Sequence, residues 1–105
     1  MERRRWKLNS STTMADIVST PGDILLEEFL VPLGISQYRL AKAIGKPQSA
    51  ISDIVRGKRA ITPEMSLLLG KALGTSPMYW LNLESTYQLK LLQDQDLSDV
   101  VALVG

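Results

Sequence analysis

The chain has 105 residues, a formal net charge of +1 and a hydrophobic content of 45%. This length fits one compact domain, and the hydrophobic share is too high for a disordered chain. It contains no cysteine and no histidine, which removes disulfides, thiolate metal ligands, thiol nucleophiles and the commonest general base. We therefore predict a protein that is not an enzyme and that uses no catalytic residue, metal ion or cofactor.

Residues 1–19 are predicted to form an N-terminal extension, because they are polar and show no sustained hydrophobic period. Their basic start, Arg3 to Lys7, is followed by polar residues where a secretory signal has an apolar stretch. No apolar run in the chain is long enough to span a bilayer. Met14 is an alternative position for the translation start. Together with the missing cysteine, these features lead us to expect a cytoplasmic protein with no membrane partner.

Five helix patterns follow between residues 20 and 93. They begin where hydroxyl residues and prolines suit the N-cap and the first helical position, at Thr20-Pro21, Ser36, Pro47, Thr62-Pro63 and Ser76-Pro77. They end, in chain order, at Pro32 with Gly34, at Gly45, at Gly57, at Gly74 and at about Gln93. The fold class is therefore predicted to be all-α, a five-helix bundle. Residues 94–105 are assigned to a C-terminal tail.

The second and third helices contain the most informative pattern. Their inner faces are predicted to be apolar, formed by Leu40, Ala41 and Ile44 on one helix and by Ile51, Ile54 and Val55 on the next. Gly45 supplies the positive φ that the tight connection requires, and Ala41 is small enough for two helices to cross closely. This spacing predicts a helix-turn-helix.

The other side chains of the third helix share a polar face by helical spacing. Glutamine can pair with adenine, arginine with guanine, and serine with bases or phosphates. A solvated face is the alternative, but its position after the turn favours contact with double-stranded DNA. Helix N-termini and a basic loop would add phosphate contacts. The predicted DNA-binding residues are Gln37, Gln48, Ser49, Ser52, Arg56, Lys58 and Arg59.

Asp53 shares this face, and phosphate would repel it. We expect it to pair with Arg56 or Lys58, or to read a cytosine.

The last two helices are rich in apolar residues. The fourth is predicted to bury one face, formed by Met65, Leu68, Leu69, Ala72 and Leu73. The fifth has more apolar residues than one amphipathic stripe requires, which suggests a second buried contact. Because helix-turn-helix proteins usually bind DNA as two-fold dimers, we predict a homodimer interface at Trp80, Tyr87 and Leu91. The alternative for Trp80 and Leu83 is that they close the core over the first helix.

The pattern Gln37-x-x-Leu40-Ala41-x-x-x-Gly45, followed by Ile51-Ser52 and Gly57, resembles the XRE/Cro-type helix-turn-helix, which has a lambda-repressor-like fold. The flanking segments resemble those of HigA-type antitoxins: Pro21-Gly22-Asp23-Ile24-Leu25, Glu28-Phe29-Leu30, Pro32-Leu33-Gly34-Ile35-Ser36, Gly57-Lys58-Arg59-Ala60-Ile61-Thr62-Pro63-Glu64-Met65, Leu73-Gly74-Thr75-Ser76-Pro77, and Trp80-Leu81-Asn82-Leu83 with Tyr87. The resemblance spans Thr20 to about Leu91. Lys46 departs from the apolar residue common at its position in the turn.

The resemblance implies an antitoxin that binds a RelE-like, ribosome-dependent, mRNA-cleaving toxin and that, as a dimer, represses its own operon. A toxin that holds RNA must be basic, and an acidic surface would complement it. The toxin-binding candidates are Asp23, Glu27 and Glu28 on the first helix, although such residues often form only a solvated face. The extension before Thr20 is a second candidate.

Two further hypotheses stay open. One is a stand-alone XRE-type repressor without a toxin partner. The other is an enzyme or an RNA-binding accessory factor, which the missing histidine and cysteine and the lack of stacking aromatics beside the basic loop argue against. A small basic reading frame next to the gene would favour the antitoxin.

Overall fold

The computed structural model describes residues 19–105, so the predictions for the extension and for Met14 lie outside the described residues. Within that range the chain forms five helices and no strand, which confirms the all-α prediction. Helix α1 is continuous and has three stretches, Pro21–Ile24, Leu25–Leu30 and Val31–Leu33. It is followed by α2 (Gln37–Ile44), α3 (Gln48–Val55), α4 (Pro63–Leu73) and α5 (Pro77–Leu91).

Local sequence determines where most of these helices begin and end. The hydroxyl oxygens of four N-cap residues accept a hydrogen bond from the backbone N–H three positions later, at Thr20, Ser36, Thr62 and Ser76. Each such cap stabilises its helix by about 1 kcal/mol. Three helices end at a glycine in the left-handed region, Gly34, Gly45 and Gly74. The predicted starts are thus confirmed, and so are these stops. Helix α3 ends at Val55, two residues before Gly57, and α5 ends at Leu91, within two residues of the predicted end at about Gln93.

The middle of α1 departs from regular α geometry. Residues Leu25–Leu30 form a π-helical stretch, and the N–H of Val31 donates to the carbonyl of Leu26, five residues back. Pro32 lies within the last turn and does not stop the helix, which continues to Leu33 and is capped by Gly34.

The core lies between all five helices. Its buried apolar side chains are Leu25, Leu30, Leu40, Ala41, Ala50, Ile51, Ile54, Ile61, Met65, Leu69 and Trp80. On α4 the predicted face is correct at Met65 and Leu69 but wrong at Ala72, which is exposed. Ser66 and Gly70 are buried in its place.

Trp80 is at the centre of this core and is 0% exposed. Its indole Nε1 donates to Thr75 Oγ1 at 2.7 Å, which satisfies the polar end of the ring. The ring centroid lies 5.1 Å from that of Phe29 on α1 and 5.1 Å from that of Tyr79. Trp80 therefore closes the core over α1, and its predicted place in a dimer interface is wrong because it has no surface to offer a second chain.

Two glycines permit close packing that no side chain would allow. A Cβ on Gly22 would collide with the backbone carbonyl of Ile54, where α1 meets the end of α3. A Cβ on Gly70 would lie 2.8 Å from the carbonyl oxygen of Thr75. These contacts hold α1 against α3, and α4 against the start of α5.

The segment after Leu91 contains turns and otherwise no regular secondary structure, and its side chains are exposed. They include six large apolar residues, Leu92, Leu97, Val100, Val101, Leu103 and Val104. No helix within residues 19–105 is long and apolar enough to cross a membrane.

Candidate nucleic-acid interface

The α2–α3 connection is a tight turn. Gly45 has a φ of 73°, and its N–H donates back to the carbonyls of Ala41 and Lys42. The N–H of Lys46 donates to the carbonyl of Ala41 at 3.0 Å. Lys46 Nζ lies 3.3 Å from Glu64 Oε2, so this unusual turn residue joins the turn to the first turn of α4.

The turn presents the polar face of α3 at the surface. Gln48 and Ser49 are exposed at its first two positions, and neither side chain makes a hydrogen bond within residues 19–105. Ser52, one turn further on, is half-buried, and its Oγ donates to Gln37 Oε1 at 2.8 Å. This bond uses the carbonyl end of the Gln37 amide and leaves its NH₂ group as a donor.

Asp53 binds two arginines at once. One carboxylate oxygen accepts from Arg56 Nη2 at 3.0 Å, and the other accepts from Arg59 Nη2 at 3.4 Å. The expected pairing with Arg56 is present, but the second partner is Arg59 and not Lys58. The hydrogen bond from Arg56, helped by that from Arg59, lowers the pKa of Asp53 below its ordinary value despite some desolvation.

The basic loop after α3 is anchored from both sides. The N–H of Lys58 donates to the carbonyl of Asp53 at 2.7 Å. At the other end, the N–H of Ile61 donates to Glu84 Oε1 on α5 at 2.9 Å. The side chains of Lys58 and Arg59 remain exposed between these anchors. The sequence did not indicate that Glu84 anchors this loop, because its partner lies 23 positions away and no local pattern predicts such a bond.

The acidic candidates lie on α1. Asp23 Oδ2 accepts from the N–H of Thr20 at 3.1 Å as part of a reciprocal capping box, so its carboxylate has a structural partner. Glu27 and Glu28 are partly exposed in the π-helical stretch of the same helix. The structure therefore places all three carboxylates on α1, and that of Asp23 holds the start of the helix.

The remaining candidates for the dimer interface lie on the second half of α5. Tyr87 is half-buried, and it lines a cleft together with Lys58 and other residues of the basic loop. Leu91, at the last position of the helix, is exposed. These two side chains retain surface that a second chain could cover, unlike Trp80.

A tight glycine turn that leads into a helix with a polar outer face, followed by a basic loop, is typical of XRE/Cro-type helix-turn-helix DNA-binding proteins. The family model described as helix-turn-helix matches residues 26–80, and the chain belongs to this family. The family consists of DNA-binding regulators rather than enzymes.

Within the family, the chain is similar to HigA-type antitoxins. Antitoxin HigA-1 of Vibrio cholerae is 35% identical over 68 residues, which are 65% of this chain and 64% of that protein. Virulence-associated protein I of Dichelobacter nodosus is 41% identical over 78 residues, 74% of this chain and 72% of the relative. The solved structure of Pseudomonas aeruginosa antitoxin HigA with the higBA promoter superposes with a TM-score of 0.74. That chain is 31% identical, and the match covers 85% of this chain and 100% of that one.

Proposed function

We propose that the protein is an antitoxin that binds its own operator as a homodimer and neutralises a basic, RelE-like, mRNA-cleaving toxin. The exposed face of α3 is the main support, because Gln48 and Ser49 present donors and acceptors that nothing within residues 19–105 satisfies. Base edges in the major groove of operator DNA would satisfy them. The similarity to a HigA structure that includes promoter DNA supports DNA binding by this chain.

The DNA-binding residues divide into two groups. Gln48, Ser49 and Arg56 stand on the outer face of α3 and would contact base edges in the major groove. Phosphates would be bound by the NH₂ group of Gln37 beside the N-terminus of α2, by Lys58 and by Arg59. Ser52 is engaged with Gln37 at 2.8 Å, so we assign it the task of holding α2 and α3 in register on the duplex.

The dimer is proposed at the end of α5. Leu89, Leu91 and Leu92 are all more than half exposed, and apolar side chains of the tail follow them. A cluster of this kind favours a contact with another protein surface. Tyr87 and Leu91 stay in the proposed interface, while Trp80 leaves it. A dimer would also present the basic groups of each chain twice, which a chain with a net charge of +1 needs for useful affinity.

The toxin is proposed to bind the acidic part of α1, around Glu27 and Glu28, with Asp23 at its edge. The polar face of α3 and the basic loop after it are assigned to DNA, whereas α1 carries carboxylates that complement a basic, RNA-binding protein. Burial raises the pKa of Tyr79, and the carboxylate of Glu28 raises it further, which is consistent with negative potential at this surface. The extension before Thr20 remains the second candidate.

Co-expression tests this function. Any small reading frame found next to the gene is induced with and without this chain, and growth is followed while affinity-tagged protein is purified. We expect growth rescue, a co-purifying basic protein and a gel shift of the upstream region. If the neighbouring product is not toxic and nothing basic co-purifies, the stand-alone repressor hypothesis replaces the antitoxin. If the upstream region does not shift, autorepression is wrong.

A further inference from the structure

Asp53 places a negative charge between two arginines on the surface proposed to bind DNA, where a carboxylate repels phosphates. Asp53 has an acceptor oxygen committed to each guanidinium, at 3.0 Å from Arg56 and 3.4 Å from Arg59. Both arginine side chains are more than half exposed, at 59% and 52%, while that of Asp53 is 27% exposed. The carboxylate therefore shares the surface of the two arginines and cancels part of the charge that they would show to phosphates.

General phosphate binding and base reading make different demands on these arginines. To bind a phosphate closely, a guanidinium must either leave Asp53 or bring the carboxylate toward a second anion, and both options cost free energy on every DNA sequence. A guanidinium has five N–H donors, and the bond from Arg56 to Asp53 uses only Nη2. Arg56 thus retains donors for the two acceptors on the major-groove edge of guanine.

We infer that Asp53 is a specificity-determining positioning residue. It restrains Arg56 from binding phosphates on any sequence and orients it for a base edge, and through its longer contact it weakens, without abolishing, the phosphate contact proposed for Arg59. This inference rests on the proposed use of α3 to read operator DNA. The inference predicts that the negative charge of Asp53 improves discrimination between the operator and other DNA sequences, and that it lowers affinity for DNA of any sequence.

The test compares Asp53→Asn with the wild-type chain on two duplexes, one that carries the region upstream of its own gene and a scrambled duplex of equal length and composition. We expect affinity for the scrambled duplex to rise about three- to tenfold, with a salt dependence steeper by about one phosphate contact. Affinity for the upstream duplex should stay the same or fall, so the ratio of the two affinities should decrease at least about threefold.

Glu64→Gln is the matched control. It also removes one carboxylate and releases one cation, Lys46, from an ion pair of 3.3 Å, so it should change both affinities by the same factor. Asp53→Glu retains the charge and should restore most of the discrimination. If Asp53→Asn changes the ratio no more than Glu64→Gln does, the inference is wrong and Asp53 forms only a surface ion pair. If the wild-type chain does not distinguish the duplexes, the proposed operator binding fails first, and the inference fails with it.

Circular dichroism of each variant separates these outcomes from misfolding. Should Asp53→Asn lose helicity, Asp53→Ser provides the same comparison with a residue that α3 already contains at Ser49 and Ser52. An unchanged ratio in that variant overturns the inference as well.

Discussion

Ser52 Oγ donates a hydrogen bond of 2.8 Å to Gln37 Oε1, and this bond joins the first residue of α2 to the middle of α3. It is partly buried, so water replaces it poorly when one partner is removed. We predict that Ser52→Ala reduces the free energy of unfolding by about 1 kcal/mol and weakens operator binding without a change in salt dependence. Urea unfolding and gel shifts at several salt concentrations measure the two effects. Operator affinity that is equal to wild type would show that the bond does not position Gln37.

Substitutions at exposed residues of α3 and of the basic loop should affect DNA binding in different ways. Gln48→Ala should cost roughly 1–3 kcal/mol at the operator and relax the preference for one base pair. Arg56→Ala should have a similar effect, although it also releases Asp53.

Lys58→Ala should weaken binding to all sequences and reduce the salt slope by about one unit. Full operator affinity in the Gln48→Ala, Arg56→Ala double variant would mean that α3 is not the recognition helix.

The exposed leucines of α5 predict self-association. A Leu89→Glu, Leu91→Glu variant should be monomeric in sedimentation experiments at micromolar concentration, because charges cannot be buried cheaply in an apolar interface. Operator binding should weaken with it. Ser85→Glu is the control, since it adds a charge at an exposed polar position of the same helix. A wild-type monomer that occupies a full palindrome would exclude the dimer.

Charge reversal on α1 tests the proposed toxin surface. Glu27→Lys with Glu28→Lys should spare operator binding, because these residues belong to a helix that does not form the recognition face. It should reduce growth rescue, chiefly through slower association with a basic toxin. Asp94→Lys with Asp99→Lys makes the same change in net charge in the exposed tail. If rescue survives both the α1 reversal and deletion of residues before Thr20, the antitoxin role stands but the site lies elsewhere.

The contact between α1 and α3 predicts a strong effect at Gly22. An added Cβ would meet the Ile54 carbonyl and lie 2.9 Å from Val55 Cα, both backbone atoms that cannot rotate away. Gly22→Ala should therefore lower the free energy of unfolding by about 1–3 kcal/mol, as overpacking does. Gly34→Ala provides a comparison, since its φ is 66° but no atom lies within 4 Å of the new Cβ. Gly34→Ala should lower the free energy of unfolding by about 1 kcal/mol, the value for left-handed strain. Equal stability of Gly22→Ala and wild type in thermal unfolding would contradict the packing.

The features that can be predicted well from the sequence are local. The helix starts at Ser36 and Thr62 depend on a side-chain hydroxyl and a backbone N–H three residues later. The turn at Gly45 depends on the φ angle of one residue. The features that escape prediction depend on distant partners. Nothing near Gly22 indicates that Ile54 will pack against it. Trp80 suits either the core or an interface by its residue type, and only the position of α1 decides between them.

At the candidate site, too, the features that depend on local sequence are predicted correctly, and those that depend on distant partners are not. Residue types and helical spacing are enough to place Gln48, Ser49 and Arg56 on one face of α3. Which cations Asp53 binds depends on the path of the loop, and that path brings Arg59 within 3.4 Å instead of Lys58. Helical periodicity does not extend into a loop, so the sequence alone could not distinguish the two.

The hydrogen bond from Ile61 to Glu84 has a mechanical consequence. It fastens the end of the basic loop to α5, the helix whose far end is proposed to join two chains. In such a dimer, α5 would act as a rigid strut that carries the loop and α3 of each subunit at a fixed separation. The spacing between the two halves of the operator would then be set by the length and angle of this strut, so a change at Glu84 should alter which spacing the protein accepts.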